Sequence, residues 1–268
     1  MRKNVDIKWY QTLDSTNTQA AREISHAPDG TVWIADFQTA GRGQRGNRWE
    51  SAKCENLTFS ILFKPIFLSP AQQFAISEVA AIGVCRYLCS KGLPAQIKWP
   101  NDIYIGNKKI CGMLIEHSIS GDKLAGSIIG IGLNLNQREF SSDAPNPTSL
   151  LLEAEALASS NVPEGTYDRR EELSSLLGYI FTAYGELEDG FAAELNQEYL
   201  DCLYRFNQWH QFIEIDANAP ADMPVEKMAA GRTITARITG IDPYGCVILE
   251  HQDGTVQSYP FKGIRYII

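Results

Sequence analysis

The chain has 268 residues, 44% of them hydrophobic and 21% charged, which excludes a collagen-like, low-complexity or wholly disordered protein. Its 24 Lys and Arg stand against 32 Asp and Glu, a net charge of −8, and this argues against broad electrostatic binding to DNA or to an anionic membrane. The six cysteines lie mostly in apolar stretches, no apolar run approaches the roughly 18 residues of a membrane span, and the N-terminus lacks the apolar core of a leader; together these predict buried free thiols in a cytoplasmic protein.

Asp14-Ser15-Thr16-Asn17 supplies N-cap residue types ahead of TQAAREIS, which predicts a first helix. TVWIADFQTA is a mostly buried strand that runs into the glycine-rich loop GRGQRGNRW. In NLTFSILFK the residues Leu57, Phe59, Ile61 and Phe63 recur at period two, the pattern of a strand with one face in a core. AQQFAISEVAAIGVCRYLCSKG is the clearest helix, with Gly92 at the place of a C-cap. AQIKWPNDIYIGNKKICGMLIEHSI predicts a strand, a break at Pro100 and a hairpin turning at Gly106-Asn107, and SIIGIGLNLN a further apolar strand. Two helical stretches follow, one carrying Leu173, Leu176, Leu177, Ile180, Phe181 and Tyr184, the other running from about Phe191 to Trp209. After about Phe212 come short strands, RTITARITGI, GCVILEH and TVQSYPF, separated by turn residues, which fits a small antiparallel barrel. The expected architecture is α+β over 1–211 with a small all-β domain over 212–268.

Gly41-Arg42-Gly43-Gln44-Arg45-Gly46 spells a dinucleotide-binding G-x-G-x-x-G after a strand, but its context is wrong. That motif must open a helix and be followed about 20 residues on by an acid. Here NRWESAKCENL follows, and the next strand ends in Phe63-Lys64-Pro65. The loop instead places Arg42, Arg45 and Arg48 among glycines that permit close backbone approach, an arrangement suited to carboxylate or phosphate groups. Lys98-Trp99-Pro100-Asn101-Asp102 adds a cation at the end of a strand, then two polar side chains on a turn.

Five strings stand in one order: DSTN at 14–17, QTAGRGQRGNRW at 38–49, KWPNDIY at 98–104, KKICGMLIE at 108–116 and GIGLNLN at 130–136. With these the chain resembles the biotin–protein ligases (biotin–acetyl-CoA-carboxylase ligases) from about Gln11 to the C-terminus. The resemblance implies a catalytic domain like that of class II aminoacyl-tRNA synthetases, followed by an SH3-like β-barrel. It implies two steps: attack of the biotin carboxylate on the α-phosphate of MgATP, giving biotinyl-5′-AMP and pyrophosphate, then transfer of biotin to a lysine of a biotin carboxyl carrier protein. Carried over by position, Ser15, Thr16, Asn17 and Gln38 match contacts to the biotin head group. Gly41, Arg42, Gly43 and Gln44 match the loop that closes on biotin and the adenylate, and Gly112 and Leu114 match the strand flooring the site. Lys98 matches the lysine near the biotin carboxyl and is, with Arg42, the expected catalytic residue. Arg45, Arg48, Trp49, Asn101, Asp102 and Asn134 are expected to border the nucleotide. ATP, biotin and Mg²⁺ are the implied ligands, the ion held mainly by phosphates and water, so that no protein metal site is expected.

Two departures bear on function. Gln44 stands where many relatives carry arginine, which predicts weaker retention of the adenylate unless Arg42, Arg45 and Arg48 compensate. The catalytic signature begins by Asp14, which leaves no room for the N-terminal DNA-binding domain of some relatives and predicts a ligase without repressor activity. The partners expected are therefore a carrier protein and neither DNA nor membrane, with the enzyme a monomer or a homodimer. A lipoate–protein ligase is the nearest alternative, against which KWPNDIY speaks. A non-catalytic sensor is the alternative from another class, against which Lys98 and the arginine loop speak.

Overall fold

The computed structural model describes residues 5–44, 47–140, 146–157, 165–215 and 231–268. Alternating apolar residues build a seven-stranded sheet from β1 (Ile7–Tyr10), β2 (Val32–Ala35), β3 (Leu57–Phe63), β4 (Ala95–Lys98), β5 (Asp102–Ile105), β6 (Lys108–Ser120) and β7 (Lys123–Leu133). Their order is β1-β2-β3-β7-β6-β5-β4, with only β1 and β2 parallel. Helix α1 (Thr16–Glu23) lies on one face, where Ala20 and Ala27 pack with Trp33, Leu62 and Ile128. On the other face α2 (Phe74–Ser90) and α4 (Arg169–Glu188) join Val32, Ile34, Phe59, Ile61, Ile129 and Ile131 in the main core. Gly83 lets these helices meet closely, since a Cβ there would stand 2.7 Å from the Ile180 Cα.

The period-two pattern of β3 predicts one buried face, yet all seven of its residues are buried. It is central, and α1 covers the side on which the sequence places small polar residues. Thr58 and Ser60 are tolerated there because each is hydrogen-bonded. The hairpin turn at Gly106-Asn107 forms as expected, Gly106 taking a φ of +57°. The stretch expected to be helical from Phe191 to Trp209 is helical only over α5 (Ala192–Asp201). Beyond it the chain runs along the free edge of β4, where Ile97 N–H donates to the Cys202 carbonyl at 2.8 Å and Tyr204 N–H to the Ile97 carbonyl at 2.8 Å. A short α3 (Leu150–Ala156), capped by Ser149, was not apparent in the periodicity.

Five antiparallel strands form the second sheet: β8 (Trp209–Glu214), β9 (Thr233–Ile241), β10 (Val247–His251), β11 (Val256–Tyr259) and β12 (Ile264–Tyr266), in the order β11-β10-β9-β8-β12. The boundary expected at 211/212 falls inside β8. The second sheet meets the first at the turn after β4, where Trp99 Nε1–H donates to the Gly245 carbonyl at 2.8 Å and the Trp99 ring packs edge-on to Phe261. Not all thiols are buried as expected: Cys85 and Cys111 are, whereas Cys54 and Cys89 are exposed. No helix among the described residues is long and apolar enough to cross a membrane.

Candidate active site

Strand register builds the site. On the α1 side of the sheet, three cross-strand rows run from β3 through β7 to β6: Thr58–Gly132–Gly112, Ser60–Gly130–Leu114 and Leu62–Ile128–Glu116. The middle of two rows is glycine, so the floor is low there and another group can settle on it. Trp49 does so over the first row, where a Cβ on Gly132 would stand 2.2 Å from its indole and one on Gly112 2.9 Å. Asn17 does so over the second, where a Cβ on Gly130 would stand 2.1 Å from its Oδ1. The cavity above this floor holds about 60 Å³ accessible to water and is also lined by Ser15, Thr16, Gln38, Arg42, Gly43, Gln44, Asn101, Asp102, Lys109 and Met113.

Hydrogen bonds fix what each side chain can still offer. Asn17 Nδ2 donates to the Leu114 carbonyl at 3.2 Å and to Glu116 Oε2 at 2.8 Å, so both its protons are used within the protein. Ser60 Oγ lies 2.7 Å from Asn17 Oδ1 and 2.8 Å from Thr16 Oγ1. The Asn17 carbonyl can only accept, so the single Ser60 proton goes to it, the Thr16 proton goes to Ser60, and Thr16 keeps lone pairs for a ligand N–H. Thr16 N–H donates to Gln38 Oε1 at 2.7 Å, which orients that amide. The indole N–H of Trp49 is buried and has no acceptor among the described residues. Such an orphan costs about 1–3 kcal/mol, which an acceptor on a ligand would offset.

The loop bearing Trp49 is closed on itself. Trp49 N–H donates to the Gly41 carbonyl at 3.1 Å and Gly43 N–H to the Asn47 carbonyl at 2.8 Å. A Cβ on Gly41 would stand 2.3 Å from the Trp49 carbonyl oxygen, so Gly41 acts by letting the two arms approach. Among the described residues from 47 to 56 no helix follows the loop, in keeping with the rejected dinucleotide reading. The turn after β4 is clamped to the floor, with Met113 N–H donating to the Asn101 carbonyl at 2.9 Å and Asn101 Nδ2 to the Met113 carbonyl.

Lys98 stands at the edge of the same face of the sheet, next to Asp102. Its ammonium lies 5.1 Å from the centre of the Tyr104 ring and 4.9 Å from that of Tyr266, under the second sheet. Lys98 pairs directly with Asp102 across β4 and β5, in the row that continues through Gly112 and Gly132, so its side chain leaves the sheet on the cavity face, beyond Asp102 and toward the small sheet. Lys109, one residue into the KKICG string, lines the cavity itself, ion-paired to Asp102 at 2.7 Å and 5.7 Å from the Trp49 ring centre. Arg42 does reach the cavity, where its two terminal nitrogens grip both oxygens of Glu116, at 2.7 and 3.2 Å. Arg48 bridges Arg42 through the backbone and points outward, exposed. Asn134 is buried just past the end of β7 and its Nδ2 donates to the Thr148 carbonyl at 2.9 Å. Arg45 lies outside the described residues.

Comparison with known proteins follows the same strings. Residues 9–134 match the model of the biotin/lipoate A/B protein ligase family. The bifunctional ligase/repressor BirA of Bacillus spizizenii is 31% identical over 268 residues, spanning 93% of this chain and 71% of that protein. The chain belongs to the biotin/lipoate protein ligase family. A biotin–[acetyl-CoA-carboxylase] ligase of Paracoccus denitrificans is 33% identical over 125 residues, 46% of this ligase and 51% of that one. The fold of the ligase is that of the biotin protein ligase from Aquifex aeolicus, solved in complex with biotin and ATP, at a TM-score of 0.73 and 24% identity over 98% of this chain and 99% of that one. Its catalytic sheet and helices are thus of the class II synthetase-like kind, as the sequence predicted.

Among the described residues of the ligase no group of three or more His, Cys, Asp or Glu could hold a metal ion. Asp102, which lines the cavity, and Glu116, which holds Arg42 and Asn17 beside it, are both already paired with cations. This donor set fits a Mg²⁺ carried in on ATP phosphates and water. Sequence reasoning missed Lys109, Thr58, Glu116 and the flooring role of Gly130 and Gly132. All five stood inside quoted strings; alternation groups Glu116 with Gly112 and Leu114, and Gly130 with Gly132, on one face, whereas Lys109 joins them through the register shift in the β5–β6 pairing.

Proposed function

We propose that this cavity adenylates biotin with ATP and then hands the biotinyl group to the lysine of a carboxylase carrier domain. The observation that carries the reading is the convergence on one glycine floor of Ser15, Thr16 and Gln38 with Arg42, held by Glu116, and Lys109, held by Asp102. The first set offers hydroxyl lone pairs and an oriented amide, which suit a ureido ring that both donates and accepts. The second set offers N–H donors, which suit the carboxylate that attacks and the α-phosphate that is attacked.

In the first step a carboxylate oxygen of biotin forms a bond to the α-phosphorus and the bond to pyrophosphate breaks. Two anions must be brought together, and Mg²⁺ on the phosphates supplies the net positive charge when ATP is bound. Lys109 and Arg42 supply direction, since each is held by a carboxylate partner in one orientation. In the second step the carrier lysine attacks the acyl carbon, an amide forms and AMP leaves. The mixed anhydride has to be kept from water between the steps. The closed arm from Gly41 to Trp49 covers the floor on which it would lie.

ATP–pyrophosphate exchange, run with biotin, with lipoate and with neither acid, tests the reading. Exchange that depends on biotin is expected. Exchange with lipoate in its place would move the substrate to the other branch of the family, and exchange with neither would overturn the adenylation step.

A further inference from the structure

Glu116 was reached by no motif argument, yet it holds more of the site together than any other acidic side chain there. It stands in the third floor row, two residues along β6 from Leu114, and points to the same side of the sheet. Its Oε1 takes Arg42 Nη2 at 2.7 Å, and its Oε2 takes Arg42 Nη1 at 3.2 Å and Asn17 Nδ2 at 2.8 Å. One carboxylate thus joins the glycine-rich arm, the first turn of α1 and the floor strand. Through Asn17 the chain continues to Ser60 on β3 and to Thr16.

The purpose of this arrangement is not stability. The side chains of Arg42 and Glu116 are 48% and 36% exposed, and ion pairs so open to water contribute little to folding. Nor does it add positive charge, since the pair is neutral. What it fixes is geometry. An arginine on a glycine-rich arm has many rotamers, and a two-point grip on a carboxylate leaves its guanidinium plane in one orientation. Because the same carboxylate takes the Asn17 amide, the guanidinium is set relative to α1 as well as to the sheet.

We propose that Glu116 is a positioning residue for adenylation, aligning Arg42 for the reacting carboxylate and phosphate without touching them itself. The proposal rests on the reading of the cavity as the adenylation site. Glu116→Gln tests it, because glutamine keeps the volume and an acceptor for Asn17 but loses the charged two-point grip. In biotin-dependent ATP–pyrophosphate exchange the variant is expected to lose roughly tenfold or more in kcat, with KM for ATP within about twofold. Its thermal midpoint is expected to stay within about 3 °C of the parent. The double variant Arg42→Ala/Glu116→Gln is expected to be no slower than Arg42→Ala alone, the signature of a residue that acts through Arg42. Unchanged kcat in Glu116→Gln, losses that multiply in the double variant, or a fall in midpoint large enough to account for the lost activity would each overturn the proposal. A parent protein that shows no biotin-dependent exchange would instead count against the adenylation reading.

Discussion

Lys109 and Lys98 sit eleven positions apart in the sequence, and the register of β4, β5 and β6 brings both to the cavity face. Lys109 is held by Asp102 beside the cavity, whereas Lys98 lies between two tyrosine rings. Removing an oriented donor from a site of developing charge typically costs 10²–10³ in rate, about 3–4 kcal/mol. Lys109→Met is therefore expected to lower biotin-dependent exchange by about that factor with little change in thermal midpoint. Lys98→Met removes the cation beside Asp102 in the same row and is expected to lower exchange at least as much, with on the order of 1 kcal/mol of stability lost from the aromatic faces. Exchange assays and urea unfolding on the two variants check this, and a variant that keeps full exchange would take its lysine out of the reaction. The Ser15–Asn17, Gln38 and Arg42–Gln44 positions were legible through the family strings that contain them, and the cavity gathers them. The sequence did not reveal that Lys98 rests on the Tyr104 and Tyr266 rings, because Tyr266 comes from the far end of the chain.

At the scale of strands, the floor is made by two glycines of β7 at i and i+2, each opposite a small or polar residue of β3. Gly130 has the tighter requirement, because Asn17 is pinned by Ser60, Leu114 and Glu116 and cannot retreat from an added methyl. Gly130→Ala is expected to cost about 1–3 kcal/mol in urea unfolding. Gly132→Ala is expected to cost less and to shift tryptophan emission, since the Trp49 ring can lift. Equal costs with no change in emission would contradict this account of the floor. The same element shows why strand interiors are only half legible. Alternation placed β3 and β7 correctly, but which face is solvent and which lies under a helix depends on α1, whose landing place no local pattern records. The end of α5 was misread for a related reason. Its apolar residues continue at helical spacing, while the chain leaves the helix at Cys202 to run along β4, and Arg205 and Asn207, with φ values of +64° and +55°, turn it on toward β9.

Across the molecule, α2 and α5 bring together a buried pair that the chemistry of the cavity does not use. Glu78 on α2 accepts from Asn196 Nδ2 on α5 at 2.7 Å, and burial pushes its carboxyl up from 4.5 to about 7. An acid whose folded value is raised stabilises the fold fully below its unfolded value, and that contribution is lost as pH rises through the folded value. With about 1.4 kcal/mol per unit, the loss between pH 5 and pH 8 is on the order of 2–3 kcal/mol. Glu78→Gln keeps the acceptor for Asn196 and removes the titration. Denaturant unfolding at the two pH values is therefore expected to show the variant gaining on the parent by that amount as pH rises, and a constant difference would remove the assignment.

The turn after β4 has one more consequence, for how such a chain can change over generations. Its Trp99 donates to the Gly245 carbonyl, its Lys98 lies on Tyr266, and Gly245 itself stands where a Cβ would come 2.4 Å from Phe74. Two residues further on, the same turn grips the cavity floor through Asn101. The small sheet is thus no freely exchangeable appendage. A substitution at Gly245 or Tyr266 must be answered at Phe74, Trp99 or Lys98, so the two halves of the chain are bound to drift as one inheritance, and a graft of this small sheet onto a distant relative would need that turn to travel with it.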